Sequence, residues 1–152
     1  MKTAILISLL LSFTLYVNSQ EANPKFDSTL AKTYGADDYG MKMYVMVILK
    51  TGSNTSENKA ATDSLFMGHM NNINRLVELK KLVVAGPFGK NENNFRGIFI
   101  LNVSTIDEAK ELMQTDPAIK ADLLQTELYP WYGSAALPAY LETSDKIWKL
   151  KP

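Results

Sequence analysis

The chain switches between two hydrophobic periods from about residue 43 onward. Met43-Tyr44-Val45-Met46-Val47-Ile48-Leu49 is apolar throughout and rich in β-branched side chains. A strand with one wet face alternates, so this unbroken run predicts a central strand covered on both faces. Thr51-Gly52-Ser53-Asn54-Thr55 ends it as a loop. Over 57–79 the period becomes helical: Phe66, Met70, Ile73 and Val77 form one stripe, with Leu65, His69 and Leu76 beside it. Leu82-Val83-Val84-Ala85 predicts a short second strand, ended by Gly86-Pro87, and 89–95 a polar hairpin connection. Residues 97–103 predict a third strand. Thr105-x-x-Glu108 has the form of a capping box, and Ile106, Ala109, Leu112 and Met113 supply the apolar face of the helix that follows. Asp116-Pro117 opens one more turn, because Asp suits the cap and Pro the first helical position. Residues 123–131 predict the fourth strand.

The flanks differ from this core. Residues 20–40 are polar and rich in turn formers, with Asp27 placed to cap a short helix through Tyr34 and Gly35 placed to stop it. They predict an arm lying on the domain. Residues 133–152 predict a tail with Trp148 as an aromatic anchor. Between them, 41–132 follow the order β-α-β-β-α-β, that of an α+β, ferredoxin-like fold. Such a fold has a four-stranded antiparallel sheet with both helices on one face. Its other face is partly apolar and has to be covered, most economically by a second copy, or in cis by the tail.

The N-terminus carries a different signal. Lys2 precedes an apolar run from Ala4 to Val17, and Val17-Asn18-Ser19 fits a small-x-small cleavage site. Residues 1–19 therefore predict a secretory signal peptide, cleaved to leave Gln20 at the mature end, and the protein is expected in the periplasm or outside the cell. The run is short for a membrane span, and no later stretch is long and apolar enough for one, so no stable membrane anchor is expected. Sixteen basic and 16 acidic residues balance to zero formal charge, with no basic patch of the kind that binds nucleic acid. With no cysteine, thiol catalysis, disulfides, thiolate zinc sites and a lipid-anchor cysteine are excluded.

Candidate chemistry is sparse. His69 is the only histidine. It has two readings: a general acid/base, since imidazole titrates near neutrality, or a half-buried side chain bonding a backbone carbonyl. Asp116 also has two: a plain helix cap before Pro117, or a carboxylate that orients His69. Arg96 would either fork onto an anionic substrate or sit solvated at a hairpin end. Phe88, Tyr129, Trp131 and Tyr132 would line an apolar pocket or belong to core and interface. No G-x-S-x-G elbow, Walker loop or dinucleotide fingerprint occurs, and with one histidine and no cysteine a transition-metal site within one chain is not expected. Asn54-x-Ser56 and Asn102-x-Ser104 match glycosylation sequons, a pattern that arises readily by chance.

The His69-centred helix, Leu82-Val83-Val84-Ala85-Gly86-Pro87, residues 97–103, Thr105-Ile106-Asp107-Glu108-Ala109, Asp116-Pro117 and Tyr129-Pro130 together resemble the YciI-like (YCII-related) domain. The resemblance spans about residues 43–131. It implies a dimeric α/β barrel in which two ferredoxin-like sheets pack face to face, hence a homodimer. It also implies a pocket holding a His and an Asp, which fall on His69 and Asp116. The chemistry implied is of lyase, isomerase or dehalogenase type on a small molecule, without metal or redox cofactor. A non-enzymatic ligand-binding or dimerisation module is the alternative. In the family an aromatic often follows Asp-Pro; here the residue is Ala118, a departure that bears on the shape of the pocket.

Overall fold

The apolar run at 43–49 lies inside a longer strand, β1 (Met41–Thr51), in a computed structural model that describes residues 23–149. The predicted signal peptide at 1–19 lies outside the described residues. β1 is flanked on both sides: it pairs antiparallel with β3 (Phe95–Leu101) and with β4 (Leu124–Ser134). β2 (Leu82–Pro87) adds to the far edge of β3, giving the antiparallel order β2-β3-β1-β4. This is the ferredoxin-like arrangement expected of the β-α-β-β-α-β order.

β1 is buried on its helix side at Val45, Val47 and Leu49, whereas Met43 is 41% exposed and, on the other face, Met46 and Ile48 are only part-buried. Val45, Val47 and Leu49 are buried in one core, with Phe99 and Leu101 of β3 and Leu124 of β4. Helix α2 (Lys59–Glu78) closes this core through Leu65, Ile73, Leu76 and Val77, and α3 (Ile106–Met113) through Ala109 and Met113. α2 is capped by Asn58, whose side chain accepts from the Ala61 amide.

The face α2 presents is rotated from the predicted stripe. His69, Asn72 and Leu76 are its buried residues, whereas Met70 is 39% exposed. Hydropathy alone favours Met over Asn inside. What reverses the order is a set of hydrogen-bond partners waiting for Asn72. The capping box at Thr105 is half formed. Thr105 Oγ1 accepts from the Glu108 amide, but the Glu108 carboxylate pairs with Lys81 at 2.8 Å and does not reach back.

The opposite face of the sheet has its own small core. Tyr44, Val83 and Ile100 are buried there, with Met46, Val84, Ile98 and Trp131 part-buried around them. The segment after β4 folds back over part of it. A 3-10 turn (Leu137–Tyr140) lays Leu137 into the cluster, and the Tyr140 hydroxyl donates to the Val83 carbonyl. Trp148, expected as the anchor, is 46% exposed, beyond α5 (Leu141–Ile147). Leu137 and Tyr140 hold the tail because they lie close enough to β4 to reach the cluster. In the arm, α1 (Ser28–Tyr34) is capped by Asp27 and stopped by Gly35 in the left-handed conformation, φ 68°.

Candidate functional site

Two segments 47 residues apart in sequence meet beside the core. One is the middle of α2, which carries His69. The other is the corner before α4 (Pro117–Lys120), which carries Asp116 at the cap. Their close approach depends on Gly68. A Cβ there would stand 2.9 Å from Pro117 Cγ and 3.3 Å from Pro117 Cβ, so only a glycine lets α2 seat against this corner.

The Nδ1–H of His69 donates to Asp116 Oδ2 at 2.6 Å. Asp116 is fully buried, at 0% exposure, and His69 is 8% exposed. The other carboxylate oxygen, Oδ1, accepts from the Ala118 amide at 2.9 Å and the Ile119 amide at 3.4 Å. One carboxylate oxygen thus caps α4 and the other meets His69. Burial pushes this carboxyl up. The hydrogen bond from His69, the imidazolium charge and the two backbone donors outweigh that and hold it below its ordinary value. An ionised Asp116 is an acceptor only, so the proton between the two residues belongs to Nδ1.

That leaves Nε2 as the ring's free nitrogen. No hydrogen bond among the described residues reaches it. Among the described residues, no side-chain nitrogen or oxygen is both fully buried and unpartnered. The exposed sliver of His69 therefore includes Nε2. Phe99 stacks on the ring at 5.9 Å and 20°, and Phe66 meets it edge-on at 6.3 Å and 88°. These apolar walls fix the ring plane and lower the dielectric around the pair.

Arg96 is exposed near the start of β3, with its guanidinium 5.7 Å from the Phe66 ring centre. Phe66 thus stands between Arg96 and His69, and Arg96 forms no ion pair among the described residues. Of the four aromatic candidates, Phe88 lies beside Arg96, its amide donating to the Arg96 carbonyl at 3.0 Å, and the other three lie elsewhere. Trp131 rests on Tyr44 at 5.8 Å and Phe88 on Phe95 at 5.9 Å. Tyr129 donates to Glu127 at 3.0 Å. Tyr132 donates to Asp37, a bond that pushes its phenol up to about 12. Ala118 is fully buried in the helix-side core and borders no open space.

Several site residues escaped the sequence reading. Asn72 lies near Asp116 Oδ2, with Nδ2 at 3.5 Å. Arg75 holds Asn72 from behind and also donates to Thr115. The available signals were a glycine inside a helical period and the spacing of three that carries His69, Asn72 and Arg75 along one side of α2. Among the described residues no group of three or more His, Asp or Glu side chains converges as a metal site would require.

A family model described as the YCII-related domain matches residues 43–132. No curated protein matches the chain. Among solved structures, the chain is similar to 5-chloro-2-hydroxyhydroquinone dehydrochlorinase from Burkholderia phenoliruptrix AC1100, in complex with 2,5-dihydroxybenzoquinone. The identity is 21% and the TM-score 0.41, over 57% of this chain and 92% of that one.

Proposed function

This chain belongs to the YCII-related domain family, and we propose that it is an exported acid/base enzyme acting on a small molecule without a cofactor. In this reading His69 Nε2 moves the proton, and Asp116 orients the ring and balances its charge. The observation that carries it is the 2.6 Å contact from Nδ1 to a fully buried carboxylate, on a ring whose other nitrogen is reachable. With Nδ1 protonated and tied down, Nε2 carries the free lone pair that a general base requires.

The chemistry follows from that lone pair. A substrate C–H bond breaks toward Nε2, and the imidazolium that forms lies against the Asp116 carboxylate between apolar walls, where opposite charges attract strongly. The electron pair left on carbon forms a double bond. In an elimination the leaving group departs with its own bonding pair. In an isomerisation Nε2 returns the proton to a second carbon. Arg96 is proposed to hold an anionic group of the substrate, with Phe66 as the apolar surface between it and the ring.

A panel of small cyclic and halogenated acids and phenols, followed by NMR, tests this. General acid/base catalysis contributes about 10²–10⁴-fold, so His69→Gln should cut turnover by that factor while binding survives. Turnover retained in His69→Gln would refute the assignment. Binding without turnover in the wild type would make the chain a ligand-binding module instead.

Export and assembly are proposed alongside. Cleavage after Ser19 predicts Gln20 as the N-terminus of protein recovered outside the cytoplasm, which N-terminal sequencing reads directly. A second copy is proposed to cover the part of the open sheet face where Met46, Ile48 and Ile98 remain incompletely buried. Sedimentation that returns only monomer would sink that proposal.

A further inference from the structure

Behind the His69–Asp116 pair lies a second polar layer. His69, Asn72 and Arg75 follow one another at intervals of three along α2, so they share one side of the helix and lead from the site to the surface. Asn72 is buried, and a buried amide is costly unless its polar atoms are partnered. Its Oδ1 accepts from Arg75 Nε at 3.2 Å and from Nη2 at 2.8 Å. A guanidinium has only donors, so the carbonyl end of the amide must face Arg75. The NH2 end is thereby turned toward Asp116 Oδ2, 3.5 Å away. The same Nη2 donates to Thr115 Oγ1 at 2.7 Å, and that hydroxyl donates to the Leu112 carbonyl at 2.6 Å. Thr115 immediately precedes Asp116, so Arg75 braces both the amide and the backbone that carries the carboxylate.

We infer that Asn72, oriented by Arg75, is a positioning residue that steadies the Asp116 oxygen on which His69 is held. The inference rests on the acid/base reading above and adds to it the group that sets the imidazole's partner in place. Oδ1 is pinned by two backbone amides, whereas Oδ2 is met, among the described residues, by His69 and Asn72 alone. Without the amide, the imidazole is the one remaining direct partner of that oxygen among the described residues, and the Nδ1–H bond opens more often. A side chain that merely tied α2 to the 115 corner would act on the helix cap and on the imidazole together.

Because His69 is the only histidine, its Nδ1–H proton gives one unambiguous resonance in 15N-labelled protein. We would measure the solvent exchange of that proton, and of the Ala118 amide that reports on the cap, in the wild type, Asn72→Leu, Arg75→Met and Arg75→Lys. Asn72→Leu should speed Nδ1–H exchange about fivefold, the factor expected for one long, weak hydrogen bond, and leave Ala118 protected. Arg75→Met should act in the same direction, and Arg75→Lys, which keeps a donor for Asn72, should restore part of the protection. Arg75 is exposed, so its variants report even where Asn72→Leu fails to fold. Exchange unchanged in both Asn72→Leu and Arg75→Met would overturn the inference, as would loss of Nδ1–H and Ala118 protection in step. A wild type with no protected Nδ1–H proton would instead overturn the acid/base reading on which the inference stands.

Discussion

Gly68→Ala separates this fold from a generic one by the sign of its effect. In the middle of a long helix, replacing glycine with alanine normally stabilises by about 1 kcal/mol. Here the new methyl would lie 2.9 Å from Pro117 Cγ and 3.3 Å from Pro117 Cβ. The pyrrolidine ring cannot rotate away, so the whole corner carrying Asp116 has to move. Overpacking of this kind costs about 1–3 kcal/mol. The clash should therefore cancel or exceed the propensity gain and leave a net loss of about 1 kcal/mol, a few degrees in Tm for a domain this size. Urea unfolding of the wild type, Gly68→Ala, Pro117→Ala and the double variant measures it. Pro117→Ala removes the ring, so alanine at 68 should become stabilising in that background, with a coupling of about 1–2 kcal/mol. If Gly68→Ala alone raises stability by about 1 kcal/mol and adds independently to Pro117→Ala, α2 does not rest on this corner and the site is wrongly assembled.

Other outcomes follow from the same geometry. The Asp116 carboxyl titrates below its ordinary 3.8 in the folded protein. Its contribution to stability is thus complete above that value and lost as pH falls through the lower folded pKa. The stability gap between the wild type and Asp116→Asn should close below pH 3.8; a gap constant down to about pH 2 would contradict the pairing. Tyr140→Phe removes the donor to the Val83 carbonyl and should cost about 1 kcal/mol, confined to the tail. Hydrogen exchange should quicken at the Ala139 amide, which bonds the Ala136 carbonyl at 2.9 Å, and stay unchanged in α2. Unaltered Ala139 exchange would mean the hydroxyl does not hold the tail.

Much of the local structure was legible from residues within a few positions of one another. Caps are the clearest case. Asp27 accepts from the Thr29 and Leu30 amides, Thr105 from Glu108, and Asp116 from Ala118 and Ile119. Each cap needs only the next turn of chain and so can be read without knowing the fold. The apolar run in β1 likewise announces a central strand, although its face away from the helices is only partly covered, and the order of periods restricts the topology to the ferredoxin-like sheet. The resemblance carried by the order and spacing of these segments agrees with the family match over residues 43–132.

The rotation of α2 was not legible, because hydropathy ranks Met70 above Asn72 while the bonded partners of Asn72 lie on another element. Nor was the destination of the tail, where Leu137 and Tyr140 are held in place of Trp148. Sequence by itself determined the elements, their caps and their order, since those depend on neighbours along the chain. Only the tertiary structure decided that Asp116 gives one oxygen to its own helix and the other to His69. That contact spans 47 residues and exists because a glycine in one helix lets a proline corner come close.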